Sequence, residues 1–234
     1  MDASETDQIS RFEEALAPFE DSGVPDYGFF LDVGLQSLML SNLQNLTIPG
    51  STLNDSCLSC DNRFKDHHII TLAKGVISAN IHLQTLSLTN HHISDEGFNT
   101  ICSEIVNRQH LLHLNLHGNS ITGSNIAALR LETAECSLDT LDLSSNPLTV
   151  TAGMAIANAL RTNHKLYEIG LNNCGFNLNV IIGLATTLRQ NVTLEILKLD
   201  RPLTDKKTKQ EEGVDHLSRL LDGPLSRTYN FLYS

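Results

Sequence analysis

The sequence predicts an α/β solenoid, a curved arc with parallel strands on its concave side and helices on its convex side. Two observations predict it: a set of apolar residues that returns at a nearly fixed interval, and an apolar pair four residues apart in the second half of the interval. Units repeating every 20 to 50 residues or so cannot bury their apolar faces alone and must stack.

The first observation runs through the middle of the chain. LQTLSLTNHHI places Leu83, Leu86, Leu88, His91 and Ile93 on one template. LLHLNLHGNSI places Leu111, Leu114, Leu116, Asn119 and Ile121 on it, and LDTLDLSSNPL places Leu138, Leu141, Leu143, Asn146 and Leu148. LYEIGLNNCGF follows with Leu166, Ile169, Leu171, Cys174 and Phe176, and LEILKL begins a fifth register at Leu194. The first leucines stand 28, 27, 28 and 28 residues apart. Each L-x-x-L-x-L run should be a short strand with its leucines turned into the core. The asparagine position then falls in a loop, where an amide both gives and accepts hydrogen bonds to backbone that has no strand or helix partner. Cys174 is a substitute there, and His91 departs from the pattern as a polar filler at a loosened turn.

The second observation supplies the helices. Ile101 and Ile105, Ile156 and Leu160, and Leu184 and Leu188 are apolar pairs on one helical face, so each repeat reads as strand, loop and helix. Asn80, Asn163 and Asn191 stand three residues before the next first leucine, and asparagine tolerates the left-handed conformation that stops a helix. Repeats of this length with a full helix resemble the ribonuclease-inhibitor class of leucine-rich repeats over residues 83 to 199, which implies the curved arc already drawn.

The flanks are less regular and set the domain boundaries. Residues 1–42 read as a polar N-terminal segment and cap, with a short helix around ISRFEEALAPF. LQNLTIPGSTL puts Leu43, Leu46, Ile48, Ser51 and Leu53 on the template, while LQSLML, with Leu35, Leu38 and Leu40, competes for the same first strand. The next register begins 40 residues after Leu43, which leaves an insertion at about 54–68 before a helix ending with Ile69, Ala73 and Ile77. The repeats extend over 43–204, and 205–234 read as a C-terminal helix through VDHLSRLL and an irregular tail. Pro202 occupies the last asparagine position and lacks both the amide side chain and the backbone NH. Around it, Arg201, Pro202, Leu203, Gln210, Glu211 and Glu212 resemble the corresponding part of the leucine-rich repeat-containing protein 34 family. That resemblance implies a longer parent chain, a germ-cell or stem-cell role and nucleolar contacts, and it supplies no catalytic residue.

Composition narrows the function. The 234 residues carry a net charge of -11, which argues against nucleic acid or an anionic membrane as partner, since both require clustered Lys and Arg. No run reaches the length of a membrane helix, and MDASETDQIS has neither the basic start nor the apolar stretch of a secretory signal. A cytoplasmic protein is expected, with entry to the nucleus or nucleolus. Cys102, Cys136 and Cys174 sit singly within repeats, as reduced cysteines do. The sequons at Asn45, Asn54 and Asn191 have no secretory context and read as chance.

No Gly-rich phosphate loop, H-E-x-x-H or G-x-S-x-G occurs, so a non-enzymatic chain without cofactor or small-molecule substrate is expected. Cys57, Cys60, His67 and His68 in CLSCDNRFKDHH are zinc-ligand types, although the gap between the pairs is short and adjacent histidines diverge. A zinc-binding insertion is therefore the third-ranked reading. The second is a small-GTPase activator, because the activators of the Ran GTPase share the repeat length. Their long acidic tail has no counterpart here, and no functional arginine maps onto Arg108, Arg130, Arg161 or Arg189.

The first-ranked reading is a scaffold or adaptor that binds another protein on the concave face. Side chains alternate along a strand, so the residues between the template leucines face out. One row then holds Thr85, His113, Thr140, Glu168 and Ile196, and a second holds Ser87, Asn115, Asp142, Gly170 and Lys198. A third contains Thr89, His117, Ser144, Asn172 and Asp200, with Tyr167 and Glu195 at the rim. The expected contact set is Thr85, Ser87, His113, Asn115, His117, Thr140, Asp142, Ser144, Glu168 and Asn172. Its acids point to a partner with a basic surface.

Overall fold

A computed structural model describes residues 43–50, 63–78, 80–106, 110–133 and 135–199. The expectations for residues 1–42, for the insertion's Cys57 and Cys60, and for everything from Asp200 onward lie outside the described residues.

Six strands form one parallel sheet in sequence order. They are β1 (Asn45–Pro49), β2 (Thr85–Thr89), β3 (His113–Asn115), β4 (Thr140–Asp142), β5 (Glu168–Gly170) and β6 (Ile196–Lys198). Between them run α1 (Asp66–Leu72), which continues as a wider π turn over Ala73–Ile77, then α2 (Asp95–Val106), α3 (Val150–Leu160) and α4 (Leu178–Leu188). The first described strand therefore forms on Leu46 and Ile48.

Pairing register follows from the template. Leu86 stands beside Leu114, Leu114 beside Leu141, Leu141 beside Ile169 and Ile169 beside Leu197. A slip of one residue would turn every leucine into solvent. All these leucines are buried, as are the paired helix residues Ile101, Ile105, Ile156, Leu160, Leu184 and Leu188. Each such burial contributes about 1.5–3 kcal/mol, and a continuous core results from contributions that no single repeat could make.

The third repeat departs from the expectation of a helix in every unit. A single 3₁₀ turn, Ile126–Leu129, replaces it and ends at Arg130 in the left-handed region with φ 47°. The positions that carry an apolar pair elsewhere hold Ala128 and Glu132, so a full helix would have no apolar face to bury. Ile126, Leu129 and Leu131 fill the core instead.

The loops after the strands share a left-handed residue at the same place in each repeat, Asn90 at φ 59°, Gly118 at 70°, Ser145 at 58° and Asn173 at 52°, and Gly123 and Gly175 add a second in their repeats. A Cβ on Gly118 would lie 2.2 Å from Asn90 Oδ1, so a side chain there would have to turn the Asn90 amide aside. Successive loops are tied by backbone bonds from Asn90 N to His117 O (2.8 Å), Gly118 N to Ser144 O (2.9 Å) and Ser145 N to Asn172 O (2.7 Å).

Candidate functional site

Three polar ladders, two buried and one partly buried, hold the repeats together, and they separate structural polar residues from those left for a partner. The loop ladder occupies the asparagine position. Asn119 donates from Nδ2 to Leu88 O (2.8 Å) and Leu116 O (2.9 Å) and accepts the Ile93 amide (3.2 Å). Asn146 repeats this one unit on, donating to Leu116 O (2.9 Å) and Leu143 O (3.0 Å) and accepting the Ile121 amide (3.0 Å). Cys174 makes only long contacts from Sγ, 3.4 Å to Leu143 O and 3.5 Å to Asn172 O. Burial pushes its thiol up to about 12, so it stays protonated.

His91 is not the filler of a loosened turn that its departure from the template suggested. Its ring reproduces the amide's pattern: Nδ1 accepts the Phe64 amide (3.0 Å) and Nε2 donates to Ile48 O (2.9 Å). Because Phe64 N–H can only donate, the tautomer is fixed with the proton on Nε2.

The second ladder lies where helices return to strands. Asn163 donates to Leu131 O (2.6 Å) and accepts the Lys165 and Leu166 amides; Asn191 donates to Leu160 O (2.6 Å) and accepts the Thr193 and Leu194 amides. Asn80 accepts the Leu43 amide (3.0 Å). None of the three has a positive φ, so they mark the turn from helix to strand by side-chain bonds across repeats and not by a left-handed backbone. Asn191 is also buried, which leaves its sequon inaccessible in the fold.

The third ladder escaped sequence reasoning. Asp66, at the start of α1, accepts Ser94 N (2.8 Å), Ser94 Oγ (2.5 Å) and Gly97 N (3.0 Å) of the next repeat. Asp95, at the start of α2, does the same for Thr122 N (2.9 Å), the Thr122 hydroxyl and Gly123 N (2.9 Å). Partial burial raises the Asp95 pKa, but the bonds from Thr122, Ser124 and Gly123 outweigh it and hold the carboxyl below its ordinary value. The available signal was an acid at the same place in two consecutive helix starts.

The uncovered sheet face carries the expected rows. Thr85, His113, Thr140, Glu168 and Ile196 are aligned by register, as are Ser87, Asn115, Asp142, Gly170 and Lys198, and β1 extends the rows with Asn45 and Thr47. Thr85, Ser87, His113, Asn115, His117, Thr140, Asp142, Glu168 and Asn172 are partly exposed. Ser144 is the correction: at 2% exposure it is withdrawn from the surface. Gly170 offers no side chain to the Asn172 amide, so the Ser144 hydroxyl accepts it instead (3.1 Å). A Cβ on Gly170 would sit 2.5 Å from Asp142 Oδ1, so the Asp142 carboxylate leans over that glycine.

Several surface side chains are already engaged with one another. His113 Nδ1 meets Thr140 Oγ1 at 2.9 Å. Asn115 and Asp142 each accept the amide two residues on, from His117 (3.0 Å) and Ser144 (2.8 Å). Lys198 forms an ion pair with Glu168, which cancels one of the acids that pointed to a basic partner. At the rim, Tyr167 is exposed, and the nearby Glu195 carboxylate raises its phenol pKa.

The remaining candidates lie elsewhere. Arg130, Arg161 and Arg189 sit at the ends of their helical segments, where the helix dipole favours cations, and Arg130 pairs with Glu135 at 3.1 Å. Among the described residues no group of three or more His, Cys, Asp or Glu side chains could hold a metal ion. A recess beside the 3₁₀ turn, lined by Ile105, Leu129, Cys136 and Leu138, measures about 10 Å³, room for about one water. Among the described residues no helix is long and apolar enough to cross a membrane.

The comparisons with known proteins bear on the fold. A family model described as Leucine Rich repeat matches residues 79–102 and 135–157. The chain is 26% identical over 211 residues to mouse "NACHT, LRR and PYD domains-containing protein 3" and 25% identical to the rat protein of that name. Each match covers 81% of this chain and 20% of the relative, so the chain spans about one fifth of those proteins' length. Among solved structures, a tropomodulin C-terminal domain from Caenorhabditis elegans superposes with a TM-score of 0.51 at 20% identity, covering 69% of this chain and 92% of that one. With its six parallel strands alternating with helical segments and the repeat motif matched in two of its units, the chain has the fold of an α/β leucine-rich-repeat arc.

Proposed function

We propose that this chain is a protein-interaction module, a scaffold or adaptor that seats another protein on its concave strand face. One observation carries the proposal: the face of the six-stranded sheet without helices presents aligned rows of partly exposed hydroxyl, amide, imidazole and carboxylate groups. Solenoid curvature turns such rows into an extended binding surface. The partner is another protein with a basic surface; Asp142 is its main electrostatic contact, since Glu168 is offset by Lys198. Thr85, Ser87, His113, Asn115, His117, Thr140 and Asn172 supply hydrogen bonds, and Tyr167 anchors the rim. The proposed setting is cytoplasmic or nuclear, in keeping with cysteines that sit singly within repeats, and the resemblance of residues 201–212 to the leucine-rich repeat-containing protein 34 family adds the nucleolus.

Quantitative affinity purification of the wild-type chain against a folded Asp142→Lys, Glu168→Lys variant tests this. A protein recovered with the wild type and lost with the variant supports the concave face as the site. Equal recovery of every partner by both chains contradicts it.

A further inference from the structure

We propose that His91 is an acid-sensitive joint between the first and second repeats, which lets go of the Phe64 segment when its ring takes up a second proton. The position is one the fold fills with an amide elsewhere: Asn119 and Asn146 make the same inter-repeat bonds and cannot titrate. At His91 those bonds depend on one neutral tautomer. The ring is 2% exposed, accepts from Phe64 N–H at Nδ1, donates to Ile48 O at Nε2, and stacks on the Phe64 ring with centroids 4.7 Å apart and planes 9° from parallel. A proton on Nδ1 turns that nitrogen into a donor facing another donor. The bond to Ile48 O survives this change, but the bond to Phe64 does not. The part released is therefore the stretch around Phe64 that leads into α1, while β1 keeps its contact.

The surroundings offer the imidazolium little relief. Gly50 on the β1 side packs so closely that an added Cβ would lie 2.8 Å from Nδ1. The titratable groups that act on the ring are His68 from α1 and His92 beside it in the chain, both cationic when protonated. Arg63 and Lys65 flank Phe64 in the sequence, and the nearby Asp66 carboxylate is taken up by Ser94 and Gly97. Burial lowers the pKa of His91; the bond to Ile48 opposes this, and His92 and His68 add to the lowering. The sign follows. A folded value below the unfolded value of about 6.5 means that the joint's stabilisation is complete above that pH and is lost as pH falls toward the folded value.

Amide exchange at pH 7.5 and 5.5, corrected for intrinsic rates, on wild type and His91→Asn tests the joint. The wild type should lose protection at Phe64, whose amide is bonded to His91, by up to about tenfold per pH unit across the titration, as one proton requires. His91→Asn, which restores the amide of the neighbouring repeats, should keep the same protection at both pH values. Equal loss in both chains, or none in the wild type, overturns the proposal. Should His91→Asn fail to fold, imidazole NMR of the wild type decides. A His91 titration below about 6.5 that moves the Phe64 amide at the same midpoint supports the joint, and a titration at or above that value, or one that leaves the Phe64 amide still, overturns it.

Discussion

Replacing Asn146 with alanine should cost far more than the loss of one polar side chain suggests. Asn146 is 1% exposed, and its removal strips the Ile121 amide of its side-chain partner and leaves the Leu143 carbonyl only the long Cys174 contact in a place water does not reach, while the Leu116 carbonyl keeps the bond from Asn119. An unsatisfied buried backbone group costs about 1–3 kcal/mol, so two groups and the cavity left behind amount to roughly 3–5 kcal/mol. That is a large share of a total stability of about 5–15 kcal/mol. Cys174→Ala at the equivalent place loses only long sulfur contacts and a small volume, for about 1–2 kcal/mol. Cys174→Asn should be neutral or stabilising, because it restores the donor to Leu143 O. The chain contains no tryptophan, so urea unfolding followed by far-ultraviolet circular dichroism is the suitable assay. Unchanged m-values must accompany the shifts, since a repeat array can unfold in parts. If Asn146→Ala and Cys174→Ala fall within about 0.5 kcal/mol of each other, the amide ladder does not hold the repeats together as described here.

Leu143→Asp should unfold at least its own and the adjoining repeats, because an unpaired carboxylate at a fully buried position costs several kcal/mol. Asp142→Lys, one residue away, should lose only the bond to the Ser144 amide, about 1 kcal/mol, so equal circular-dichroism melts for the two would refute the strand register. Glu168→Gln should leave the melting temperature nearly unchanged, as a half-exposed ion pair contributes at most about 1 kcal/mol; a drop of more than about 5 °C would contradict this. Asp95 has a folded pKa below its unfolded one, so its contribution is present above the unfolded value of about 3.9 and is lost as pH falls through the folded one. Wild type and Asp95→Asn should therefore differ in stability at pH 7, and the difference should narrow as pH falls through the folded value; a constant difference would refute the assignment.

Strands, register and helix faces were legible in the sequence because a period of 28 residues reports which side of each unit is apolar. The pattern places residues on a face, and it placed Asp142, Glu168 and Lys198 correctly on the uncovered one. It does not say which neighbour a polar side chain will choose. Ser144 was expected outside and is drawn in by the Asn172 amide, 28 residues later, which bonds its hydroxyl where Gly170 offers no side chain. Lys198 reaches across from the next strand to Glu168, and Asp66 and Asp95 reach to loops of the following repeat. These choices are cross-repeat contacts, and of them only the acids Asp66 and Asp95 leave a periodic trace. His91 shows the converse: a residue that breaks the template in type keeps it in geometry, since an imidazole with one bare nitrogen and one N–H matches an amide's donor and acceptor.

Partner binding on the concave face is tested most directly by site-specific photocrosslinking in cells. A crosslinking residue placed at Thr140, in the middle of the sheet, should capture a discrete protein, while the same residue at Asn158, exposed on the outer side of α3, should not. Capture of that protein from Asn158 with none from Thr140 would move the binding surface to the helices and contradict the proposal.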